Sequence, residues 1–114
     1  MGEWIVKFYE DENGQEPVKD FIVMQPYKAR AEIIHIFDML YQINIQLPYP
    51  YTSKVEDDIW ELRIKHSSDY YRILYSTVPE KTFLLLHCIL KKTDDLSKQD
   101  IALARRRLKR YKSM

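Results

Sequence analysis

The chain holds one cysteine and two glycines among its 114 residues. It also lacks any apolar run long enough to cross a bilayer. A lone cysteine, Cys88, excludes an intrachain disulfide framework and fits a small core residue in a reducing cytoplasm. Scarce glycine beside 46% hydrophobic residues excludes a flexible low-complexity chain and implies a packed, regular fold. The longest apolar run, residues 83–90, is interrupted by His87 and falls well short of the ~20 residues of a membrane span. No basic segment followed by an apolar stretch opens the chain, so no secretory signal is expected and the location expected is cytoplasmic. Histidine is scarce too. His35, His66 and His87 stand far apart in sequence, so neither a metal site nor another cofactor is expected. A chain of this length forms one core, and residues 1–114 read as one domain.

Net charge is also small, +1, but it is unevenly distributed. Residues 1–58 carry 5 Lys/Arg against 11 Asp/Glu, or −6, and residues 59–114 carry 13 against 6, or +7. A near-neutral chain argues against a polyanionic partner, and the split reverses that inference for the C-terminal half.

Residues 4–9 (WIVKFY) predict a first strand, and the acidic stretch 10–16 a loop. Pro17 suits the first turn of a helix over 17–24, with Val18, Phe21 and Ile22 on one face. A second helix over 27–45 carries Ile33, Phe37, Leu40 and Tyr41 along one stripe. Residues 47–58, with Pro48 and Pro50, predict an ordered loop. Three strand-like runs follow, at 59–66, 70–76 and 82–90. In the first, Trp60, Leu62 and Ile64 alternate with Glu61, Arg63 and Lys65. In the second, Tyr71, Ile73 and Tyr75 oppose Arg72. The third is apolar on both faces and ends in Lys91-Lys92. Ser97 and Asp100 have capping-box spacing and open a basic amphipathic helix over 97–114. The order β-α-α-β-β-β-α predicts an α+β domain with a small, largely antiparallel sheet.

The succession W-E-L-R (60–63), Y-R-I-L-Y (71–75), L-L-H (85–87), K-K-T (91–93) and A-x-x-R-x-x-x-Y (104–111) resembles the phage-derived branch of HigB-like toxins in the RelE/ParE superfamily. The chain departs from that pattern at Leu96-Ser97, where a threonine-proline pair is expected. The resemblance implies a RelE-like fold and the toxin of a type II toxin–antitoxin system, partnered by a HigA-like helix-turn-helix antitoxin. It implies further that the ribosome and mRNA are its targets and that it is a metal-independent mRNA endonuclease (mRNA interferase). In that reaction the ribose 2′-OH attacks the adjacent phosphate.

Such a reaction needs a base, cations for the charge building on phosphorus, and an acid. Arg63 and Arg72, placed by alternation on exposed polar faces of adjacent strands, are the candidate phosphate clamps, with Lys91 and Lys92 at the rim. Glu61 reads as the base or as an orienter of the two arginines. His66, His87 and Tyr111 leave the acid and base unassigned, and His87 reads as a satisfied core histidine. Lys65, Arg105, Arg106, Lys109 and Arg110 are the candidate RNA-binding cations. Two other functions fit the sequence: a gyrase-poisoning ParE-like toxin and a non-catalytic RNA- or ribosome-binding module.

Overall fold

The computed structural model describes residues 4–43, 52–91 and 96–114. Chain order is β1 (Ile5–Phe8), α1 (Pro17–Val23), α2 (Tyr27–Ile43), β2 (Thr52–Glu56), β3 (Ile59–His66), β4 (Asp69–Val78), β5 (Thr82–Lys91) and α3 (Lys98–Lys112). The strands form one mixed sheet in the order β1-β5-β4-β3-β2. β1 pairs with β5 in parallel, and the other neighbours are antiparallel. The α+β class expected from the sequence is therefore observed.

One element was not anticipated. Thr52–Glu56 falls inside the expected loop but forms β2, which pairs with β3 from Thr52↔Leu62 to Glu56↔Ile59. The prolines that argued for a loop all precede it, and the remainder of that segment, up to residue 51, lies outside the described residues. Asp57 and Asp58 turn the hairpin, with Asp58 in the left-handed region at φ 66° that aspartate tolerates.

Alternation divides the sheet into two faces, and the two are buried differently. Leu62, Ile64, Tyr71, Ile73, Tyr75, Phe83 and Leu85 pack against Val18 and Ile22 of α1 and Ala29, Ile33, Phe37 and Leu40 of α2. On the opposite face Ile59, Leu74, Val78, Leu84 and Leu86 pack against Ala104 and Leu108 of α3. β5 is an interior strand covered on both sides, which is why its sequence reads as a continuous apolar run. At nine-tenths coverage or more of every hydrophobic residue from Phe83 to Leu86, that run has no solvent-facing positions.

The α3 start behaves as its capping signal predicts. Ser97 is the N-cap, and its Oγ accepts from the Asp100 backbone N–H at 3.0 Å while donating to Asp100 Oδ2 at 2.6 Å. The far end of α3 is tied down by ion pairs. Arg105 meets Glu56 at 2.6 Å and also donates to the Asp57 carbonyl. Arg110 donates to the Tyr9 hydroxyl at 3.1 Å and the Glu10 carbonyl at 2.9 Å, and lies 3.3 Å from Glu12. Cations of the basic half are thus set against acids of the acidic half, and part of the sequence-level charge split cancels in space.

Candidate functional site

α3 covers only part of its face of the sheet. Beyond its N-terminus the same face carries a polar grid laid out by strand register. Leu74 stands opposite both Glu61 and His87, Arg72 opposite both Arg63 and Ile89, and Tyr70 opposite both Lys65 and Lys91. Cross-strand neighbours of this kind stand about 5 Å apart, so side chains from three strands converge on one surface.

Arg63 directly opposite Arg72 is a like-charge pair, which is destabilising on its own. Glu61, one row along, relieves it. Its Oε2 accepts from Arg72 Nη1 at 2.9 Å, its Oε1 lies 3.9 Å from Arg63 Nε, and Ser53 on β2 donates to Oε1 at 3.5 Å. Burial here overturns one expectation. Arg72 is 2% exposed and Glu61 4%, so neither stands on an exposed face. Alternation assigns a side chain to one side of a sheet, but it does not say whether neighbours close over that side. Arg63 is half-buried and Lys65 exposed. Their cationic heads lie 5.2 Å and 6.0 Å from the Tyr70 ring centroid, within cation–π reach.

The remaining candidates divide cleanly. The β5 backbone brings Lys91 opposite Tyr70; the Lys91 side chain and the whole of Lys92 lie outside the described residues. Arg105 and Arg110 are engaged in the ion pairs that hold α3, whereas Arg106 and Lys109 stay exposed. His66 is on the other side of the sheet, 3.2 Å from Glu32 of α2. Tyr111 packs at the edge of the α3 core with Lys7 over its ring. His87 is mostly buried, its side chain 16% exposed, and it is satisfied as expected: its Nε2 meets Asp100 Oδ1 at 2.9 Å.

Three residues of this region escaped the sequence reading: Tyr70, Asp100 as a side-chain partner, and Arg107. Tyr70 had a signal, since it shares the parity of Arg72. Arg107 Nη1 donates to the Leu86 carbonyl at 2.7 Å and its guanidinium lies over the Tyr9 ring. Burial pulls its pKa below the usual arginine value. No sequence pattern announces that contact, because it depends on an irregularity in β5. Among the described residues no group of three or more His, Cys, Asp or Glu could hold a metal ion, and no helix is long and apolar enough to cross a membrane.

A small α+β fold with a five-stranded mixed sheet and three helices is compatible with a small toxin. The family model for phage derived protein Gp49-like (DUF891) matches residues 20–109, and the chain belongs to that family, a RelE/HigB-type toxin family of toxin–antitoxin systems. An antitoxin partner comes with membership. No curated protein matches the chain.

Proposed function

We propose that residues 1–114 act as a single HigB-like toxin domain of a type II system, an mRNA endonuclease that works on the ribosome. The observation that carries this reading is the grid of Arg63, Lys65 and Tyr70 around the buried Arg72–Glu61 pair. Arg63 is the reachable planar donor and grips phosphate oxygens as charge develops during 2′-OH attack. Lys65 and Tyr70 supply a further cation and an aromatic face on which a base stacks. Lys91 and Lys92 remain candidate cations by their place in the sequence. Arg72 and Glu61 serve by holding Arg63 in place, because a carboxylate engaged with a buried guanidinium is poorly placed to take a proton. Arg106 and Lys109 add non-specific attraction to RNA.

Ribosome dependence follows from the modest chemical equipment of the site. The cognate antitoxin is of the helix-turn-helix, HigA-like kind, and its contact surface is the α1–α2 groove. There Val23, Tyr27, Ala31 and Ile34, with Arg30 and Asp38, line a groove of about 610 Å³. Val18 and Ile22, the residues that marked this face in sequence, are buried against the sheet; Val23, Met24, Tyr27 and Ile34 are the exposed ones. An apolar lining that includes charges of both signs suits an amphipathic helix.

Primer extension on a defined message tests the reading, with the transcript incubated alone and in a translating extract. The expected result is new 5′ ends inside the coding region in the extract, few on free RNA, and almost none with Arg63→Ala. Equal cutting of free and translated RNA would refute ribosome dependence, and no cutting in either would refute the nuclease assignment.

A further inference from the structure

We propose that His87 is the proton-accepting residue of this site and that Asp100 positions it. The proposal rests on the endonuclease reading above and names the group that reading leaves open.

Regular alternation along β5 would place His87 with Leu85, on the side of α1 and α2. The strand does not alternate regularly. Leu74 pairs with His87 but Tyr75 pairs with Leu85, so Leu86 is an extra residue in β5. Core membership shows the change of phase: Leu84 and Leu86 pack under α3, whereas Leu85 and Cys88 pack under α1 and α2. Such a bulge re-aims the side chains that follow it and leaves a backbone group without a ladder partner. Here the Leu86 carbonyl receives Arg107 Nη1 at 2.7 Å, which secures the irregular geometry. The bulge turns His87 to the α3 side, into the row of Leu74 and Glu61 and one row from Arg72 and Arg63.

Its orientation there is set twice over. Asp100 Oδ1 stands 2.9 Å from His87 Nε2, while Asp100 Oδ2 accepts from Ser97 Oγ at 2.6 Å. A carboxylate only accepts, so Nε2 carries the hydrogen, and in the neutral ring Nδ1 carries the lone pair. Among the described residues Nδ1 has no partner. Asp100 from α3 contacts the imidazole, and the charged residues that strand register places on the same face nearby are Arg72 from β4 and Glu61 and Arg63 from β3. A histidine used only to pin the helix would serve equally well beneath it. This one stands at the helix N-terminus, where the covered face meets the cationic grid.

In the assigned step, Nδ1 takes the 2′-OH proton as the 2′-oxygen bonds to phosphorus and the P–O5′ bond breaks. The bonding pair leaves on O5′, which takes a proton from water, and the hydroxide so formed recovers the proton from the imidazolium. Cyclic 2′,3′-phosphate and a 5′-OH end result. Asp100 holds the ring and stabilises the imidazolium as it forms.

The test is single-turnover cleavage of ribosome-bound message across pH by the full chain, His87→Gln and Asp100→Asn. Glutamine keeps an N–H donor for Asp100 but offers no comparable base, so a loss of about 10²-fold or more is expected with an unchanged melting temperature. The wild-type rate should rise with pH to a plateau, and that rise should vanish in His87→Gln. Asp100→Asn should lose less. Cleavage by His87→Gln within about threefold of wild type, with the same pH profile, overturns this proposal alone. No cleavage by wild type overturns the endonuclease reading with it. Should His87→Gln fold poorly, the wild-type profile decides, and a flat one refutes the base.

Discussion

Arg72 and Glu61 meet at 2.9 Å, from adjacent strands, with both side chains almost wholly removed from water. The pair turns two residues that look like surface chemistry into the support of the site. Breaking a buried pair of this kind by removing one partner typically costs about 3–5 kcal/mol. Arg72→Ala and Glu61→Ala are each expected to lower the melting temperature by roughly 12 °C or more in a domain of this size. An apolar pair of similar volume, Glu61→Leu with Arg72→Met, should recover most of that loss. Thermal unfolding of the four proteins checks this, and an unchanged melting temperature in Arg72→Ala would contradict it.

Arg63 should separate function from stability. Its side chain is partly open to solvent, with Glu61 Oε1 3.9 Å from its Nε. Arg63→Ala is expected to melt within a few degrees of wild type while message cleavage falls by ~10²–10³, the usual loss for one transition-state donor. Arg63→Lys should restore part of that, since charge remains but the planar fork does not. Growth arrest on expression and primer extension read the effect.

The α1–α2 groove yields a prediction about the partner. Tyr27 and Ile34 are exposed and lie across the sheet from the cationic grid. Tyr27→Asp and Ile34→Asp should each weaken the antitoxin complex at least tenfold and leave message cleavage intact. Titration calorimetry with the cognate antitoxin measures it. Antitoxin affinity that survives both changes but falls with Arg63→Ala would move the contact to the nuclease face.

Cys88 should be chemically silent in the folded protein. Burial pushes its thiol up to about 12, so the reactive thiolate is scarce at pH 8. Native protein should resist labelling by a small thiol reagent at that pH, and denaturant should expose one thiol per chain. Rapid labelling of the native state would show that β5 opens readily.

Much of the fold was legible because its elements carry strong local signals. Pro17 opens α1, the Ser97–Asp100 spacing marks the start of α3, and β3 reads residue for residue from its alternation. β2 was hidden by the prolines before it, since a short edge strand draws its hydrogen bonds from β3 and has little pattern of its own.

For the site, sequence alone determined which cations exist and, through period-two alternation, that Glu61, Arg63 and Lys65 share one side of β3. Only the tertiary structure decided what each of them does. Burial depends on what packs above a residue, and so Arg72 became a support while Arg63 stayed within reach. Long-range pairing set Arg105 and Arg110 against acids of the other half of the chain. The β5 bulge, which local pattern does not encode, brought His87 round to Asp100. Local propensity is written in neighbouring residues, whereas desolvation and ion pairing belong to groups that meet only when the chain has folded.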